Sequence, residues 1–341
     1  MLRSLRSFTV LAGLPLLAVP ACLSEEVTAP APDADMATAA ATTSRIAFLV
    51  FKPAGNDHRY DIYTMIPDGS GVRQLTSFGS YDGTMDWAPG ATKLVDVMGG
   101  DIQLVSLDRS PVRNLTNTSN ASESHPVWSP DGSKIVYGRG NDIYFMNANG
   151  SGQRNLTRTT AGEVEPRWSP DGRKIVYISS RLGNSAVHVM NADGSGQRRL
   201  TDGTSRWESG PVWSPDGRQI AFTAARGEGV DVYVINPDGS GLKNASYHPA
   251  GNGYPFWSPN SAKIAFSTNR KGSPEIYLMG RYGGSKTNLT QTPAAEDISR
   301  GWSPGGARIL YQIGTEIWVM NADGSNKKRI YQGGRDAVWS H

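Results

Sequence analysis

The chain has 341 residues, 38% hydrophobic and 19% charged, with 39 glycines, 21 prolines and a single cysteine. That balance excludes disorder over most of the length and suits many short strands joined by tight turns. A formal net charge of +3, from 34 basic and 31 acidic residues, gives no basic field for nucleic acid, and one cysteine cannot form an internal disulfide.

At the N-terminus, Arg3 and Arg6 precede an apolar run from Phe8 to Ala21, followed by Cys22. Residues 1–21 read as a secretory signal, because the run is too short for a membrane span of ~20 residues. Val19, Pro20, Ala21 and Cys22 resemble the lipobox of bacterial lipoproteins, with Pro20 departing from the usual pattern. The resemblance implies acylation at Cys22; the alternative is a plain secretory signal cleaved near Ala21. Residues 22–44, rich in Pro, Ala, Thr and acids without an apolar period, read as a lipid-anchored disordered tether. Losing residues 1–21 removes two arginines and no acid, so the 34 basic residues fall to 32 against 31 acidic ones.

From Arg45 one unit recurs, most clearly from Pro166 and from Pro211. Each copy carries four strand signals with alternating apolar residues: a tryptophan stretch, KIVY or QIAF, AVHVM or DVYVI, and RRLT. Ser-Pro-Asp-Gly separates the first two, with Pro presetting φ, Asp bonding the local backbone and Gly accepting positive φ. Asn-Ala-Asp-Gly-Ser, at Asn191–Ser195 and Asn321–Ser325, makes the turn between the third and fourth. The unit is a four-stranded antiparallel meander.

The first-strand tryptophan occurs seven times, at Trp87, Trp128, Trp168, Trp213, Trp257, Trp302 and Trp339, and the third strand also recurs seven times. The first copy lacks its tryptophan strand, while Ala337–Ser340 supply one with nothing after it. One blade is therefore shared by the two ends. The expected fold is all-β, a seven-bladed propeller over residues 45–341 closed by the C-terminal strand.

W-S-P-D-G, then I-A-F, then I-Y-V-M-N-A-D-G-S with R-L-T, resembles the WD40-like repeats of the TolB propeller family over residues 45–341. TolB itself has six such blades behind an N-terminal α/β domain, and this sequence departs from it in both respects. The resemblance implies a non-catalytic protein- or peptide-binding propeller of the bacterial envelope, periplasmic or on the outer membrane, or else secreted and soluble. It implies peptide capture at the channel mouth; a monomer is expected, with membrane contact through the N-terminal lipid at Cys22 alone.

Propeller ligands gather at the central channel and its rims. Five positions before each tryptophan stand Asp82, Glu123, Glu163, Glu208, Asn252, Asp297 and Gly334, so five of seven units place a carboxylate there. These form either an acidic ring that receives a basic or cationic partner, or a set of acceptors for their own loops' N–H groups. His125, Glu165, Trp207, Tyr254, Arg300 and Asp336 break the repeat near the same rim and are the candidates for asymmetric contact.

No cofactor or metal is expected: His58, His125, His188, His248 and His341 lie at different strand positions without H-x-x-H spacing. No G-x-S-x-G elbow is present to support a hydrolase, and no EF-hand glutamate follows the D-G-S turns. The alternatives are a propeller-borne enzyme, for which seven-bladed oligogalacturonate lyases are a precedent, and a purely structural envelope scaffold.

Overall fold

The computed structural model describes residues 44–54, 57–77, 84–118, 121–227, 229–292 and 295–340. They form seven four-stranded antiparallel sheets arranged as a seven-bladed β-propeller. Blade 1 joins the two ends of this region, in the order Gly334–Trp339, Ile46–Ala54, Asp57–Met65, Arg73–Gln74. Ile46 pairs with Trp339 and Ala47 with Val338, and the Ser340 N–H donates to the Arg45 carbonyl at 2.8 Å. Blades 2 to 7 follow in sequence, spanning residues 86–114, 123–155, 163–199, 207–244, 252–288 and 297–332.

The turns form as their chemistry dictates. At Ser129–Lys134 the Gly132 N–H donates to the Ser129 carbonyl, and Asp131 accepts from the Ser133 N–H and the Ser129 hydroxyl. Between the third and fourth strands of blade 4, Asp193 accepts from the Ser195 N–H and hydroxyl. Gly194 there has φ +86°, and an added Cβ would lie 3.0 Å from the Leu156 carbonyl of the preceding blade. Glycine thus lets the outer turn lie against its neighbour.

The fourth strand is only two residues long in five blades, shorter than the R-L-T stretch suggests. In blade 3 the Asn-Leu-Thr segment shows how the strand ends. Asn155 donates from Nδ2 to Asp142 at 2.8 Å and accepts with Oδ1 from the Thr157 and Arg158 N–H groups. Thr157 Oγ1 in turn accepts from the Ile143 N–H at 3.0 Å. Side chains therefore replace main-chain partners and end the ladder.

Each core cluster draws on two adjacent blades. Val95, Val97, Ile102 and Leu104 of blade 2 pack with Trp128, Ile135, Tyr137 and Met146 of blade 3, all fully or nearly buried. No blade buries its apolar faces alone, so burial and ring assembly are one event. The first strands lie innermost, each against the first strands of its neighbours. There the indoles stitch the ring: Trp87 donates to the Val338 carbonyl, Trp168 to Val127, Trp257 to Val212 and Trp302 to Phe256, at 3.2 to 3.4 Å.

Blade 4 breaks the internal pattern. Aromatic pairs span the second and third strands in blades 1, 3, 5, 6 and 7, for example Tyr137 with Tyr144 and Phe222 with Tyr233. In blade 4 the pair is Tyr177 with His188. Ala186 occupies the register that holds Asp142 in blade 3, and Arg199 that of Asn155. His188 is buried with neither ring nitrogen hydrogen-bonded among the described residues. Burial, and then the charges of Arg181 and Arg199, push its pKa down to about 4.

Two outcomes are expected. Trp168 and Trp128 are equally buried, but only Trp168 has a partner for its indole N–H. Trp168→Phe should therefore cost about 1 kcal/mol more than Trp128→Phe in denaturant titrations. For His188 the folded pKa lies below the ordinary 6.5. Its contribution is complete above pH 6.5 and is lost toward pH 4, at ~1.4 kcal/mol per pH unit. His188→Tyr, the residue other blades use, should flatten the stability difference across that window relative to wild type.

Candidate functional site

Six of the seven innermost strands carry a register shift beside the channel, between Ser124 and Val127 in blade 3, Val164 and Arg167 in blade 4, Ser209 and Val212 in blade 5, and at the matching places of blades 1, 6 and 7. In five of them the residue three before the tryptophan has a left-handed φ: His125 (+49°), Glu165 (+56°), Gly210 (+61°), Tyr254 (+54°) and Asp336 (+51°). Each is a β-bulge, which inserts one extra residue and re-aims a side chain. Pro126, Pro166, Pro211 and Pro255 follow the bulge in four blades. Proline is tolerated there because the innermost strand has a partner on one side only.

The bulge also decides where the acids at five before the tryptophan go. In blade 3 the exposure along Glu123–Trp128 places Glu123, Pro126 and Trp128 inside and Ser124, His125 and Val127 partly open. Glu123, Glu163, Glu208 and Asp297 are all buried in their blades, and Asp82 lies outside the described residues. Glu123 accepts from Arg139 Nε at 2.7 Å and from the Thr116 and Thr118 hydroxyls. Glu163 accepts from Thr159, Ser179 and Arg181. Glu208 accepts from Thr201, Ser205, Arg226 and the Val187 N–H of blade 4. Asp297 accepts from Thr292. Burial raises the pKa of Glu123 and Asp297 against the opposing effect of these donors. The arginines at the end of the second strand, a recurring element not evident from the sequence, stack on aromatic rings: Arg139 on Tyr144 and Arg226 on Tyr233. These acids tie each loop to its own or a neighbouring blade.

The residues that break the repeat are placed differently. His125, Glu165 and Arg167 line a cleft of about 150 Å³ with Gly210, Pro211 and Val212 of blade 5. Glu165 Oε2 accepts from the Gly210 N–H at 2.6 Å, bridging blades 4 and 5. Asp336 accepts from Arg300 of blade 7 at 2.9 Å and from Arg335 at 2.6 Å, bridging blades 7 and 1. Arg335 also lies over the Tyr60 ring and donates to its hydroxyl at 3.0 Å. Tyr254 is 60% exposed and Trp207, at the start of the innermost strand of blade 5, is 36% exposed. Burial, together with the Arg167 charge, holds the His125 imidazole down to about 4, so it is neutral at physiological pH.

Sequence reasoning missed Arg167 and Arg335. The available signal was the position one before the tryptophan, where Arg167 replaces the Val or Phe of blades 1, 3, 5 and 6. Among the described residues no group of three His, Cys, Asp or Glu side chains is placed to hold a metal ion, and no helix is long and apolar enough to cross a membrane.

The family model of the TolB β-propeller domain matches residues 37–210 and again 205–340. No curated protein sequence matches significantly. Among solved structures, TolB from Acinetobacter baumannii aligns at 20% identity and a TM-score of 0.56, over 87% of this protein and 66% of that one. A puromycin-hydrolyzing peptidase from Mycobacterium tuberculosis aligns at 11% identity and 0.66, over 84% and 53%. An oligogalacturonate lyase from Vibrio parahaemolyticus aligns at 12% and 0.61, over 85% and 87%. The protein thus spans about two thirds of that TolB and about half of the peptidase, and at these identities the likeness is one of fold. Seven closed blades built on the W-S-P-D-G unit, with a family model matching nearly all of the described residues, place this protein in the TolB β-propeller domain family.

Proposed function

We propose that this protein is a non-catalytic envelope component that holds a peptide segment of another protein at the wall and mouth of its channel. The observation that carries the reading is the left-handed bulge. Non-glycine residues in this region cost roughly 1–2 kcal/mol each. Blade 5 meets the same geometry with Gly210, where no such cost arises, yet blades 1, 3, 4 and 6 keep Asp336, His125, Glu165 and Tyr254 there. Strain retained at four equivalent sites of the innermost strands, each with a different side chain, favours a site for an asymmetric guest.

The candidates for contact are Tyr254, His125, Glu165, Arg300, Asp336 and Trp207, with Arg167 added. Glu123, Glu163, Glu208 and Asp297 support the loops that carry them. Export through the signal at residues 1–21 and anchoring through Cys22 would put the channel where envelope proteins meet it. The protein is taken to act as a monomer and without a cofactor.

The test separates folding from binding. Tyr254→Gly and His125→Gly relieve the left-handed strain while adding unfolded-state entropy, so each should change stability by less than about 1 kcal/mol in either direction. Affinity capture of a defined envelope protein should weaken at least tenfold in the same variants. Capture unchanged in both variants sinks the channel reading, and turnover of oligouronides or peptides by the pure protein would replace it with an enzyme. Cys22→Ser should abolish incorporation of labelled fatty acid, and retained labelling would refute the anchor.

A further inference from the structure

The cleft at blades 3 to 5 has an unbalanced set of hydrogen-bonding groups. Glu165 is engaged through Oε2 alone, by the Gly210 N–H. Arg167 has five N–H donors, yet donates only from Nη1 to the adjacent Pro166 carbonyl at 3.1 Å and makes no ion pair among the described residues. The buried Nδ1 of His125 has no hydrogen-bond partner among the described residues. The remaining wall is Gly210, Pro211 and Val212, and proline offers no N–H. What the cleft leaves unpaired is donor capacity on Arg167.

A peptide carbonyl would engage one guanidinium N–H, whereas a carboxylate matches two in parallel and neutralises a partly enclosed charge. Arg167 can pair with one carboxylate, and the neighbouring Glu165 carboxylate opposes a dianion more than a monoanion. A volume of about 150 Å³ admits several water-sized groups, enough for a carboxylate. The same excess recurs at blades 7 and 1, where Arg300 and Arg335 share the one carboxylate of Asp336.

We propose that the His125–Arg167 cleft is the subsite for a carboxylate of the bound segment, paired with the Arg167 guanidinium beside the His125 ring. The proposal rests on the channel-binding reading for its biological guest, though not for the anion site itself. The carboxylate comes from an acidic side group or from the free C-terminus of a peptide, and the two are separable by experiment.

Three peptides serve as probes: acetyl-Gly-Tyr-Gly with a free C-terminus, the same peptide as its C-terminal amide, and acetyl-Gly-Tyr-Asp-Gly amide. Acetate is the fourth. Binding is followed through the imidazole resonances of the purified, histidine-labelled protein, with His125 assigned from its loss in His125→Asn. At least one carboxylate-bearing peptide should shift His125 saturably and bind at least tenfold more tightly than the neutral amide. Arg167→Gln should remove that preference, and Arg167→Lys should restore only part of it, thermal midpoints confirming that both variants fold. If acid and amide bind equally, or if Arg167→Gln leaves the preference intact, the carboxylate subsite is overturned while peptide binding stands. Saturable acetate binding that depends on Arg167, with no peptide binding, would support the subsite and overturn the peptide reading. No response to any of the four probes overturns the subsite.

Discussion

The ring depends on apolar burial between blades that none can achieve alone. Each sheet is hydrophobic on both faces, and the clusters at every interface mix residues of two neighbours. A tryptophan near the inner end of each interface, buried in five and partly buried at Trp213 and Trp302, is the largest single piece, and truncating a buried one costs ~3–5 kcal/mol. Where its indole N–H reaches the preceding blade's inner strand, burial and register are set by one residue. Because blade 1 takes its inner strand from the far end of the described region, the last interface closes only with the first.

Much of this was legible because the determinants are local. Ser-Pro-Asp-Gly and Asn-Ala-Asp-Gly-Ser carry their own turn chemistry, and the tryptophan count gave seven blades without any knowledge of long-range packing. The early end of the fourth strand in blade 3 was not legible, since there Asn155 captures the local Thr157 N–H and Thr157 the Ile143 N–H of the neighbouring strand. Nor was the fate of the acids. Strict alternation would put the residues five, three and one before the tryptophan on one face. The bulge adds a residue and reverses that parity, so Glu123 joins Trp128 in the interior while His125 is left partly open at the cleft with Arg167.

Departures from the repeat are therefore of two kinds. Some are compensated within the fold: in blade 4, where Ala186 replaces an acid, the Val187 N–H is satisfied by Glu208 of blade 5. Others have no compensation beyond an interblade tie, as with Glu165 on Gly210 and Asp336 on Arg300. These occur where left-handed backbone is populated by non-glycine residues. A seven-fold scaffold is thereby given a chemically uneven inner wall.

The prolines that follow the bulges have a wider effect. An unpaired strand edge is an invitation to strand addition, and seven of them surround one channel. At Pro126, Pro166, Pro211 and Pro255 that edge lacks an N–H, and the bulges interrupt its spacing. In these four blades strand addition by a guest is disfavoured, so there the wall reads backbone polarity poorly. Selectivity then falls to the side groups of the wall, and the same edges are protected from pairing with other polypeptides during assembly.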